Sequence, residues 1–303
     1  MGRVVGKHSY QDILQRLNDV EAWFRTIGIK FASSRFDTYR KNIRRLNQYR
    51  VEGRIEEFVR STDFKEIVFS LYESSEFVTI YGQLKDVDPQ CLRERLRFVA
   101  KGPAMVDEED PTRATSSPRD FLFELSMIAI LKGSGLEVVF DSHSDVHCVF
   151  ESKHFLLECK RPQTRNSVRR NFLKAIDQTT KSLNRLNRTN SRGIIALSIG
   201  KMLHKGHMFI VGKNKSDMNA RLDRIILEAW KPFESLERTI VDTRVIGVFL
   251  VLSTPAVLED SQLLTHVHEI RVKQTCLQGS SDSHLLHRMA DGLDQAMSVG
   301  ALS

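Results

Sequence analysis

A chain of 303 residues, 41 % hydrophobic and 27 % charged, with a formal net charge of +7, can bury a large core and is expected to hold two domains. No run approaches the roughly 20 apolar residues needed to cross a bilayer, and the first residues carry neither a signal-peptide apolar region nor, with Gly at position 6, a myristoylation pattern around Gly2. Cys91, Cys148, Cys159 and Cys276 show no paired spacing, so a reducing cytoplasm is the simplest setting and no membrane association is expected.

Residues 1–105 read as a helical accessory domain. Ser9-x-x-Asp12 resembles a capping box, and Ile13, Leu17, Val20, Trp23 and Phe24 then recur on one helical face. A second helix carries Arg35, Arg40, Lys41, Arg44 and Arg45, either a nucleic-acid contact or a solvated face, and further helices run through 55–72 and 91–99. This half offers no catalytic constellation; substrate reading, partner binding or self-association are its open roles. Residues 101–118 are rich in Pro, Ser and acid, which places a linker over 106–117.

Residues 118–131 form a strongly apolar helix that starts after Ser117-Pro118 and stops at Gly133 and Gly135. Glu124 is its one acid beyond the first turn. Among Phe121, Leu125, Ile128 and Leu131 it is costly to bury without a cation or donor, or else it lies on a solvent-facing strip. A strand over 136–140 leads through Asp141-Ser-His-Ser into residues 145–160, which read as a β-hairpin: Asp-Val-His-Cys-Val-Phe, a polar Glu-Ser-Lys, then His-Phe-Leu-Leu-Glu-Cys-Lys. A two-residue loop at Glu151 and Ser152 pairs Phe150 with Lys153 and sets Asp145 opposite Glu158; a three-residue loop leaves the two carboxylates diagonal. Side chains alternate along a strand, so Glu158 and Lys160 share one face and Cys159 takes the other.

Adjacent carboxylates repel unless a cation sits between them. A hard divalent ion such as Mg²⁺ suits that gap and supports phosphodiester hydrolysis, with Lys160 orienting water or stabilising the developing charge. An acid two residues before a Lys also occurs at Asp63 to Lys65 and at Glu151 to Lys153, but only Glu158 to Lys160 ends an apolar strand with a partner acid. His147, Cys148, His154 and Cys159 could be imagined as a zinc cluster, against which alternation puts His147 and Cys148 on opposite faces.

From Lys160 to Arg192 ten basic residues face one acid, Asp177, a local excess larger than the charge of the whole chain. Val168, Phe172, Ile176 and Leu183 mark a helix packed on the core, while Arg170, Lys174, Gln178, Lys181 and Arg185 fall on another stripe. Together with Arg161, Arg165 and Arg169, that stripe is the expected nucleic-acid contact, DNA favoured. Buried strand patterns over 193–199 and 244–252 flank an amphipathic helix over 218–230, and His204, Lys205, His207, Lys213 and Lys215 form a basic connection between them, either a groove lining or ordinary loop chemistry. Strands alternating with helices indicate an α/β layer architecture over 118–260, with 261–303 as a C-terminal extension.

Helix with a Glu, strand, Asp, strand, Glu-x-Lys: this order resembles the PD-(D/E)XK nuclease superfamily, with its restriction-endonuclease-like fold, over about residues 115–255. It also looks like the archaeal Holliday-junction resolvase branch. The resemblance implies a mixed central sheet flanked by helices, here preceded by an all-α domain. It implies Asp145 and Glu158 as ligands of Mg²⁺ or Mn²⁺, Lys160 as the catalytic lysine, Glu124 as an accessory acid on the metal, and Lys174 and Gln178 as secondary candidates. Ser144 stands where the name-giving Pro would be. The expectation is a metal-dependent nuclease, endonuclease before exonuclease, acting in defence or repair and dimeric if both strands of a duplex are cut. A non-catalytic nucleic-acid-binding or assembly protein on the same fold is the alternative, and a sensor module restraining the nuclease is a third reading.

Overall fold

Strand β1 (Gly2–Val5) is followed by helices α1 (Tyr10–Thr26), α2 (Arg35–Val51), α3 (Ile55–Arg60), α4 (Phe64–Leu84) and α5 (Pro89–Val99). Then come α6 (Ser117–Gly133), the strands β2 (Glu137–Val139), β3 (Val146–Phe150) and β4 (Lys153–Lys160), α7 (Val168–Leu186) and β5 (Ser191–Ser198). The chain finishes with α8 (Gly200–His204), β6 (Ile210–Gly212), α9 (Lys215–Glu234), β7 (Val245–Leu258), β8 (Leu263–Gln274) and α10 (Ser281–Gly300). This computed structural model describes residues 2–5, 9–61, 63–110, 117–204, 209–260 and 263–300; Lys205 and His207 of the expected basic connection lie outside them.

The strands form one mixed sheet in the order β1-β8-β7-β5-β4-β3-β2, with β6 on β7. Its centre, β4 with β5 and β5 with β7, is parallel, and both flanks are antiparallel. Parallel strands are buried on both faces, and β5 and the first half of β7 are accordingly near-continuous runs of Ile, Val, Leu and Ala.

Two apolar clusters sandwich the sheet. On one face Phe155, Leu157, Cys159, Ala196 and Phe249 meet α1, α2, α4, α5, α6 and α10; on the other, Leu156, Ile195, Leu197 and Leu250 meet α7 and α9. The first cluster is continuous from Tyr10 to Leu293. The helices expected as a separate accessory domain thus share their core with the sheet, and β1 adds a strand at its edge, pairing Gly2 with Ile270.

The expected boundary at residue 260 falls in a hairpin: β8 pairs with β7 from Gly247 opposite Gln274 to Leu258 opposite Leu263. The α10 residues Leu285, Leu286 and Met289 lie in the core. The expected linker is also part of the packing. Val106 and Glu109 are buried, whereas residues 111–116 lie outside the described residues.

The capping box of α1 is present, Ser9 Oγ accepting from the Asp12 N–H and Asp12 from the Ser9 N–H, and all five expected apolar residues of that helix are buried. Among the described residues no helix is long and apolar enough to cross a membrane.

Candidate active site

The hairpin takes the two-residue loop. Phe150 pairs with Lys153, and Glu151 and Ser152 both adopt positive φ, 48° and 61°, the left-handed pair of a type I′ turn. Asn190 Nδ2 donates to Ser152 O at 2.7 Å, and Arg288 of α10 grips Glu151 through Nε at 2.7 Å, so the turn is held from outside. Counting back from Val146 opposite Leu157 brings Asp145 level with Glu158 at the carboxyl end of β4.

There the expected groups meet. Lys160 Nζ lies 3.3 Å from Asp145 Oδ2 and 3.5 Å from Glu158 Oε2, and donates to Cys159 O at 3.0 Å. The Cys159 N–H donates to Asp145 Oδ2 at 2.8 Å, tying the Asp to the facing strand. Ser182 on α7 donates to Glu158 Oε1 at 3.2 Å. Ser144 turns its hydroxyl onto Val146 O at 2.7 Å.

Burial, then the neighbouring Asp145 charge, push the Glu158 carboxyl up to about 7, against the pull of Lys160. Lys160 is itself held above the usual lysine range: desolvation works against its charge, but Asp145 and Glu158 outweigh it.

Glu124 approaches from the other layer. Its helix α6 packs on the Cys159 face of the sheet, whereas Glu158 looks toward α7. Its partner is Arg95 of α5, whose Nε lies 3.5 Å from Glu124 Oε2 and whose Nη2 donates to Asp145 O at 3.1 Å. Burial first, then Asp145, push Glu124 up to about 8. Arg95 is the group that sequence reasoning missed: nothing in Leu92-Arg-Glu-Arg-Leu96 distinguishes it from its neighbours, and only the packing of α5 on α6 brings it here.

Metal-binding capacity rests on oxygen donors. Asp145 and Glu158 present hard carboxylate oxygens at one point with a single ammonium between them, a donor set that fits Mg²⁺ or Mn²⁺. Among the described residues no three His, Cys, Asp or Glu side chains already form a metal-binding group. The zinc alternative divides as alternation requires. His147 Nε2 and His154 Nδ1 meet at 3.0 Å on one face, with Asp141 Oδ2 2.5 Å from His147 Nδ1, while Cys148 and Cys159 sit in the core on the opposite face.

The expected nucleic-acid stripe is present in part. Arg165, Arg169, Arg170 and Lys174 are exposed. Lys181 is also exposed but pairs with Asp177 at 2.6 Å, and Arg185 donates to Ser142 O. Gln178, one turn before Ser182, has a buried Oε1 that meets no donor among the described residues.

Arg161 is a correction. Its side chain is only 8 % exposed and is spent on Asp120 at 3.0 Å and Glu109 at 3.6 Å. It belongs to a buried charge network in which Glu109 also takes Lys201 and Arg119, and Glu73 takes Arg119 and Arg35. Arg119 further donates to the Tyr39 hydroxyl, which donates to Ala104 O. In α2, Arg40 pairs with Glu21, Lys41 with Asp37 and Arg45 with Asp63, whereas Arg44 is exposed.

No family model, curated protein or solved structure matches this chain.

Proposed function

We propose that the chain is a metal-dependent nuclease with a restriction-endonuclease-like core, acting on nucleic-acid phosphodiesters, DNA before RNA. One observation carries the reading: at the carboxyl end of β4 a lysine ammonium sits within 3.5 Å of two carboxylates delivered by the two strands of one hairpin. The carboxyl ends of parallel strands are where open α/β sheets hold their ligands. A bound Mg²⁺ or Mn²⁺ supplies Lewis-acid polarisation of the phosphate and a more acidic water.

The protein's own groups do the rest. The Cys159 N–H and Arg95 hold the Asp145 carboxylate and its backbone, and Ser182 orients Glu158. Lys160, kept protonated by its two acid neighbours, offers its charge to a non-bridging phosphate oxygen. Arg165 in the turn before α7, and Arg169, Arg170 and Lys174 along its start, present exposed cations for the backbone beyond the scissile phosphate.

Incubation of the purified chain with single- and double-stranded DNA and RNA, in Mg²⁺ or Mn²⁺ and in chelator, tests this. Metal-dependent cutting abolished by Asp145→Ala and by Lys160→Ala is the expected result; cutting that survives both substitutions removes the assigned centre. A second reading draws on the same geometry, because Lys160 already bridges the two acids without a metal. A non-catalytic nucleic-acid-binding protein then shows salt-sensitive binding with no cleavage in any metal.

A further inference from the structure

Helices α5 and α6 meet rung by rung beside this centre. Arg95 faces Glu124 on one rung, and one turn away Phe98 faces Phe121, their rings stacked at 5.1 Å with 24° between the planes. Phe98 is 40 % exposed, and Lys101 Nζ stands 5.7 Å over its ring. Asp120, next to Phe121, holds Arg161 directly after β4, which fixes the aromatic rung beside the carboxyl end of that strand.

A single exposed aromatic is ordinary on a protein surface. This one differs in its setting. It is backed by a second ring, a flexible lysine ammonium stands over it, and it lies about 5 Å, one helical turn, from the arginine that holds Asp145. From Pro89 to Lys101 the cations Arg93, Arg95, Arg97 and Lys101 face one acid, Glu94, so the surroundings of the ring favour an anionic chain. Aromatic faces bearing bases, bordered by cations that meet phosphates, are how single strands are gripped without sequence preference. A continuous duplex keeps its base faces stacked on one another and has none to offer.

We propose that Phe98, backed by Phe121, is a stacking platform for one unpaired nucleobase of the strand whose phosphate enters the centre of Asp145, Glu158 and Lys160, the base taking the place that the Lys101 ammonium holds over the ring. The substrate class is then single-stranded or locally unpaired nucleic acid. This rests on the nuclease reading and narrows it.

The test reads binding by the full chain in chelator, so that no cutting is needed, with single-stranded DNA and RNA, a continuous duplex, and a strand carrying 2-aminopurine as a stacking reporter. Wild type is expected to prefer the single strand and to quench the reporter. Phe98→Leu, which stays apolar against Phe121, is expected to lose about tenfold in strand affinity along with the quench, with duplex affinity within about twofold, whereas Phe98→Trp keeps both. Phe98→Leu binding strands as wild type does, or losing strand and duplex affinity equally, overturns the platform; if Lys160→Ala still abolishes cutting, the nuclease stands without it and the ring pair is a protein contact. A wild-type chain that binds no nucleic acid in chelator removes the platform, and one that also cuts none in Mg²⁺ or Mn²⁺ removes the nuclease with it.

Discussion

Lys160 and Arg161 are neighbours in the chain and belong to two charge clusters that obey opposite rules. Around Lys160, the carboxylates of Asp145, Glu158 and Glu124 have one ammonium and Arg95 between them, and Glu158 and Glu124 are pushed well above the carboxylate range. Around Arg161, burial pushes Glu109 up, but Arg161, Arg119 and Lys201 outweigh it and hold it below that range. The first cluster is short of positive charge, with the Asp145 side chain 25 % exposed; in the second, the Glu109 side chain is fully buried among its cations. A buried charge that is fully paired and bonded is structural, and one left under-compensated beside a surface is where a ligand can add free energy. That contrast, more than the presence of acids and bases, separates the candidate active site from the interior lock.

The sharpest way to break the contrast is to unpair the lock. Glu109→Ala leaves Arg161 and Lys201 without their shared carboxylate and is expected to cost about 3–5 kcal/mol in chemical denaturation, with no dependence on added metal. Next comes Lys160→Ala. It is expected to lower the denaturation midpoint less than Glu109→Ala does, because Glu158 can take up a proton once the ammonium is gone, and to slow metal-dependent cutting on the order of 10²–10³-fold, measured under single-turnover conditions.

The third expectation uses pH. Since the folded protein holds the Glu158 proton up to about 7, above its ordinary 4.5, folding binds a proton more tightly than the unfolded chain does. The penalty is absent below the unfolded value, grows as pH rises, and is complete above the folded one. Glu158→Gln, which can still accept from Ser182, is therefore expected to stabilise the protein on the order of 2 kcal/mol at about pH 8 and to change nothing at about pH 4. Equal effects at both pH values would show that Glu158 is already compensated.

The smallest effect concerns the turn that presents the acids. Ser152→Gly removes a left-handed non-glycine residue at φ 61° and costs some unfolded-state entropy, for a net gain of about 0.5 kcal/mol in thermal unfolding.

The hairpin was legible because its signals are local. Alternating apolar residues on either side of Glu151-Ser152 mark the two strands, but they leave the loop at two or three residues; the structure takes the two-residue loop, held by the distant Asn190 and Arg288, and so brings Asp145 level with Glu158. The apolar face of α1 and the buried strands β5 and β7 were legible for the same reason, since periodicity reports burial. Arg95, Arg161 and Glu109 were not. Each is one charged residue among several, and its role is decided by a helix or loop distant in the chain: Arg95 is 50 residues from Asp145, and Lys201 is 92 from Glu109. Glu109, within the expected linker, packs inside for the same reason: a polar composition marks solvent only when no interior cation meets it, and this carboxylate meets three.

Consecutive side chains leaving the end of β4 point to opposite sides: Glu158 and Lys160 toward α7, Cys159 and Arg161 toward the helical layer. One residue deleted between Leu157 and Lys160 would exchange the two cations, sending the guanidinium toward the carboxylates of Asp145 and Glu158 and the ammonium into the lock. This stretch therefore tolerates changes of side chain far better than changes of length, and its spacing is the feature that a designed variant should leave untouched.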